Sequence, residues 1–161
     1  MTPAYVFHPM AREHLPMIRC WLETPEVVRW WGDPDEQYAL VSGDLDHPGM
    51  DQFIVALGEK PFGYIQCYAL SAWNQGFGQQ PPDTRGIDQF IGQPDMIDRG
   101  HGSGFIRQFA GGLLASGIPR IVTDPDPDNA RAVRAYNKAG FQSERVIDTP
   151  DGPALMMVRN P

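Results

Sequence analysis

The chain has 161 residues, 42% of them hydrophobic and 20% charged, with a formal net charge of −7. That length suits one domain, taken here as residues 1–161, able to bury about two thirds of its unfolded surface. The acidic balance excludes nucleic acid and anionic membranes as natural partners and favours a cationic small molecule.

Two cysteines, Cys20 and Cys67, are too few and too far apart for a disulfide framework or a zinc site, and read as reduced thiols of a cytoplasmic protein. His8, His14, His47 and His101 lack metal-ligand spacing, so no metal is expected. No apolar run is long enough to cross a bilayer, and the first residues carry no signal-peptide pattern.

In chain order, "AYVFHPM" reads as a strand, and "REHLPMIRCWLET" as a helix with Leu15, Ile18, Trp21 and Leu22 at helical spacing. "PEVVRWW" reads as a second short helix; residues 33–49 fit helix or loop equally. "QFIVALGEKPFGYIQCYAL" is a hairpin with its turn at Gly58 to Pro61. The Gly/Gln/Pro-rich stretch 71–84 is a long loop of the kind that is functional or disordered. "RGIDQFIG" is a strand, followed by a glycine turn and a helix that Gly117 and Pro119 end. "RIVTDP" is a strand, and "DNARAVRAYNKAG" a helix with Asp128 as N-cap and Gly140 at its C-terminal end. "FQSERVIDT", a "PDGP" turn and "ALMMVRN" close the chain as a hairpin. The order implies a mixed α/β (α+β) fold: a mostly antiparallel sheet flanked by helices, with one β-α-β unit near the middle.

The glycine turn, "RGHGSG", places Arg99, Gly100, His101, Gly102, Ser103 and Gly104 between a strand and a helix. Glycines admit a close backbone approach, and the first N–H groups of a helix attract an anion. The spacing fails as a dinucleotide fingerprint, because Phe105 stands where a third glycine is needed. It also fails as a Walker loop, which needs a lysine, and as a nucleophile elbow around Ser103. Read as R-x-x-G-x-G, it resembles the acetyl-coenzyme A pyrophosphate loop of the GCN5-related N-acetyltransferases. One strand later, "NARAVRAYNKAGF" resembles that family's second signature. "PEVVRWWG", "GYIQCY", "RGIDQFIG", "TDPDPDNARAVRAYNKAGF" and "TPDGPALMMV" are similar to its aminoglycoside 6'-N-acetyltransferase branch.

The resemblance implies acetyl-coenzyme A as cosubstrate and a small-molecule amine as acceptor, handled by a monomer or homodimer. It gives Asp88 the role of general base or amine-binding carboxylate. Placed inside a β-rich strand, such an aspartate otherwise needs a partner, for example Arg85 or Arg99. The backbone N–H groups of Phe90 and Ile91 are candidates to hold the acetyl carbonyl, and Asn129 to bond the pantetheine arm. Tyr136 is the candidate acid, protonated because a phenol titrates near 10; packing against the sheet is its alternative role. Asp124 and Asp126, in "TDPDPD", would attract a polyamine, although Asp126 fits a solvated turn equally well. Trp30 and Trp31 offer an apolar wall for a cationic sugar, or core. Trp73 and Asp83, in the long loop, would close over the acceptor. Other acceptors, such as a siderophore hydroxylamine precursor, and a non-catalytic acyl-coenzyme A-binding module, remain alternatives at this level.

Overall fold

The structure is a computed structural model that describes residues 4–74 and 76–161. Among the described residues, seven strands form one mostly antiparallel sheet in the order β1-β2-β3-β4-β5-β7-β6. The strands are β1 (Tyr5–Pro9), β2 (Met50–Leu57), β3 (Lys60–Ala69), β4 (Arg85–Ile91), β5 (Ile121–Thr123), β6 (Gln142–Thr149) and β7 (Gly152–Arg159). The helices are α1 (Leu15–Leu22), α2 (Pro25–Trp31), α3 (Pro34–Gly43), α4 (His101–Ala115) and α5 (Ala130–Lys138). No described helix is long and apolar enough to cross a membrane.

The chain packs as two compact units, Met1–Gln66 with Gln89–His101, and Cys67–Asp88 with Gly102–Pro161. In the first unit, α1 buries Leu15, Ile18, Trp21 and Leu22, the positions its helical spacing selects. Their cluster includes Val27, Val41, Ile54, Tyr64 and Phe90. Gly92 is part of this packing, because a Cβ there would meet the Trp21 ring at 2.2 Å.

The undecided stretch 33–49 holds α3, started by Asp33, whose carboxylate accepts the Glu36 N–H, and by Pro34 in the first turn. It buries only Val41, which is why periodicity did not show it. The first hairpin turns earlier than expected: Gly58, at φ 60°, makes the turn, and β3 already runs from Lys60.

In the second unit β4 and β5 run parallel, with Arg85 opposite Ile121 and Gly86 opposite Val122. Ile87, Phe105, Ile106, Ile121, Val122, Phe141, Met156 and Met157 are buried around them. Arg159 clamps the end of the chain by donating from Nη1 to the Arg107 and Ala139 carbonyls, both at 3.1 Å. The N-cap of α5 is Asn129, not Asp128: its side-chain oxygen accepts the Ala132 N–H at 3.2 Å. Gly140, at φ 99°, follows the helix end in the left-handed region.

Candidate active site

Two of the sequence-selected aspartates meet. Extending the β4–β5 register by two residues beyond Gly86–Val122 sets Asp88 opposite Asp124. Between those positions, Thr123 Oγ1 donates to the Ile87 carbonyl at 2.9 Å. The Asp88 and Asp124 carboxyls hydrogen-bond each other, and the Asp124 carboxyl is pushed up to about 8. Burial is the leading cause, followed by the negative charges of Asp88 and of Asp151 in the β6–β7 turn. Like charges this close do not both ionise at neutral pH, so the pair holds one shared proton and one negative charge. A pair that carries one proton and one negative charge is chemically able to bind an ammonium group and to take its proton.

Sequence reasoning missed Asp151 and Tyr68. Asp151 lies in the "PDGP" turn, where an aspartate reads as turn chemistry. Tyr68 lies in β3, 7% exposed, where an aromatic reads as sheet packing. The available signal was Gly86, a glycine inside a strand. A Cβ at Gly86 would lie 2.2 Å from Tyr68 Cζ, so only glycine admits the ring there. The Tyr68 phenol is raised well above its usual range by burial first, then by the charges of Asp88 and Asp124. Tyr136, also buried, faces Phe141 edge-on with ring centroids 5.4 Å apart, and acts electrostatically on Tyr68.

The anion-binding stretch is less of a loop than expected. Helix α4 begins at His101, so Gly102, Ser103 and Gly104 form its first turn, and Gly100 is the glycine that turns into it at φ 81°. Asp98, at φ 61°, precedes it. Helix starts leave N–H groups without an intrahelical acceptor, which suits a pyrophosphate. Space around Gly100 is open: a Cβ there meets nothing within 4 Å. Arg99 is exposed beside it. The His101 side chain is engaged elsewhere, sharing a 2.9 Å hydrogen bond from Nδ1 to the Tyr5 hydroxyl and lying 5.5 Å from the Phe62 ring. The backbone of His101 is therefore the part suited to an anion. These residues fit the diphosphate of a coenzyme A molecule.

On β4, the Phe90 carbonyl oxygen points at Gly63, where a Cβ would come within 2.9 Å. Strand alternation then turns the Phe90 N–H toward β3 and the Ile91 N–H to the opposite strand edge. Of the two N–H candidates, Ile91 is the one that does not face β3.

The remaining acceptor candidates have partners of their own. Trp31 packs edge-on against Phe90 at 5.0 Å and against Tyr64 at 6.2 Å. The Arg29 guanidinium covers the Trp30 ring at 4.7 Å. Trp73 stands edge-on to Tyr68 at 6.3 Å. Asp126 is exposed and accepts the Asp128 N–H at 2.9 Å, an Asx turn. Asp83 is exposed at φ 69°. The loop carrying Trp73 is anchored by Phe77, fully buried, whose carbonyl accepts from Arg145 at 2.9 Å.

A family model described as an acetyltransferase (GNAT) domain matches residues 10–149. The aminoglycoside N(6')-acetyltransferase type 1 of Klebsiella pneumoniae is 33% identical over 162 residues, covering 93% of this chain and 80% of its own length. A kanamycin resistance protein of Rhizobium radiobacter is 40% identical over 79 residues, 48% of this chain and 73% of its own length. Among solved structures, AAC(6')-Ib in complex with ribostamycin and coenzyme A superposes with a TM-score of 0.88 at 30% identity, covering 98% of this chain and 93% of that one.

Proposed function

Because the chain belongs to the acetyltransferase (GNAT) family, we propose that it transfers an acetyl group from acetyl-coenzyme A to the 6'-amine of an aminoglycoside. The observation that carries the acceptor is the Asp88–Asp124 carboxyl pair with Asp151 acting on it, a concentration of negative charge suited to a polyamine. The donor follows from the R-x-x-G-x-G start of α4. Relatives named as aminoglycoside N(6')-acetyltransferases, and a related structure holding ribostamycin and coenzyme A, support both halves.

Bound acetyl-coenzyme A supplies the thioester carbonyl that the amine attacks. The ionised carboxyl of the pair, on Asp88, attracts the ammonium form and removes its proton. The Ile91 N–H stabilises the oxyanion that develops. Tyr136, a protonated phenol, supplies a proton to the departing thiolate. Asp124 retains the shared proton and meets the acceptor as a neutral hydrogen-bonding carboxyl. The two free cysteines, Cys20 and Cys67, favour a reducing compartment, so this reading puts the reaction in the cytoplasm.

The test is thiol release from acetyl-coenzyme A with aminoglycosides that carry or lack a 6'-amine, alongside hydroxylated lysine and ornithine. Turnover confined to the 6'-amine compounds is expected. Turnover with the hydroxylated amino acids alone overturns the acceptor and keeps acetyl transfer; no turnover with any amine overturns both.

A further inference from the structure

The proposed chemistry needs one carboxyl of the Asp88–Asp124 pair ionised in a setting that favours protonation. Tyr68 is a neighbour that the chemistry leaves unused. Its ring fills the space over Gly86: a Cβ there would be 2.2 Å from Cζ, 2.4 Å from Cε2 and 2.5 Å from the hydroxyl oxygen. The phenol end of the ring is therefore what rests on this glycine. Gly86 and Asp88 are two residues apart in β4, so their side-chain positions share one face of the strand, about 7 Å apart. Trp73 closes on the Tyr68 ring edge-on at 6.3 Å and limits its movement.

We propose that Tyr68 is a positioning residue for the carboxyl pair: its hydroxyl, seated over Gly86 beside Trp73, donates to the pair and holds one carboxyl ionised while the other keeps the shared proton. The role in turnover rests on the acetyl-transfer reading; the effect on the pair does not. The titratable groups around the phenol are Asp88 on β4, Asp124 after β5, Tyr136 on α5 and Cys67 on its own strand, with Asp151 acting on Asp124. Burial among these groups keeps the phenol protonated, the form that donates. A donor to an ionised carboxylate stabilises it against protonation, so losing the donor moves the pair toward binding its proton more tightly.

Tyr68→Phe removes the hydroxyl and keeps the ring's volume, so the fold is retained. The carboxyls are followed in the protein without substrate by carbon-13 NMR titration of labelled aspartate, with Asp88→Asn and Asp124→Asn identifying the pair's signals. The lower step of the pair, at which the carboxyl held by Tyr68 gains a proton, is expected to move up by about one pH unit in Tyr68→Phe, a tenfold gain in proton affinity. The acid limb of the kcat profile should move by the same amount, while the rise in Tm with acetyl-coenzyme A stays as in the parent. Superimposable carboxyl titrations in folded Tyr68→Phe overturn the proposal. A moved titration in protein that releases no thiol with any amine keeps the Tyr68 contact and overturns the acetyl-transfer reading instead.

Discussion

The aromatic cluster of the first unit and the carboxyl cluster of the second were both candidates for meeting the acceptor, and they are built on opposite terms. Trp31 has ring partners on two sides, Phe90 and Tyr64, and Phe90 is itself stacked on Tyr64 at 5.3 Å and met edge-on by Trp21 at 6.3 Å. Each ring there is satisfied without a ligand. Burial raises the cost of ionising Asp124, and the charges of Asp88 and Asp151 add to it. Such an arrangement is unfavourable in the isolated protein and becomes favourable when an ammonium group arrives. A satisfied cluster stabilises the fold; a frustrated one stores affinity for a ligand.

The comparison breaks most easily at Asp88. Asp88→Asn should lower kcat by about 10²–10⁴-fold, the usual range for loss of a general base. The Tm rise with acetyl-coenzyme A should be unchanged, since that site is the start of α4. A variant with near-parent kcat would make the pair structural and place proton removal in solvent. Trp31→Ala tests the other side. It should cost about 2–4 kcal/mol of stability, as removal of a large packed ring does, seen as a lower urea midpoint. Its kcat per folded molecule should stay near the parent value. A raised amine KM without a change in midpoint would move Trp31 into the acceptor site.

Much of this was readable from local sequence. The helical spacing of Leu15, Ile18, Trp21 and Leu22 is the buried face of α1, and a misplaced aspartate in "RGIDQFIG" marked Asp88. What local reading cannot supply is register. Asp88 and Asp124 meet because β4 and β5 pair in parallel across the whole of α4, a relation set by packing and not by neighbouring residues. Asp151 acts on Asp124 from a separate hairpin. Tyr68 stayed hidden because its contact is with an absence, the missing Cβ of Gly86. The choice of Asn129 over Asp128 as N-cap was undecidable because both residue types cap well and they are adjacent. The start of α3 was legible in Asp33, Pro34 and Glu36, but its sparse burial left no periodicity to confirm it.

The finest distinction between the clusters is how stability follows pH. An aspartate in the unfolded chain titrates near its ordinary value of 3.8, whereas burial and its charged neighbours push Asp124 in the folded protein up to about 8. Between those values the folded protein keeps a proton that the unfolded chain has lost. The folded state binds more protons there, so this group's contribution is complete at low pH, falls as pH rises through the window, and is lost above about 8. Asp124→Asn cannot ionise and retains a donor for Asp88, so it escapes that fall. Its Tm relative to the parent should rise between pH 5 and pH 8 and level off above, by about 8–16 °C for a chain of this size at about 1.4 kcal/mol per pH unit. Asp88→Asn should show a smaller rise in the same direction, because it removes one of the charges acting on Asp124 but not the burial. Trp31→Ala should shift Tm equally at every pH. Parallel Tm-against-pH curves for Asp124→Asn and the parent would mean that Asp124 is ionised throughout, and the carboxyl cluster would then be as satisfied as the aromatic one.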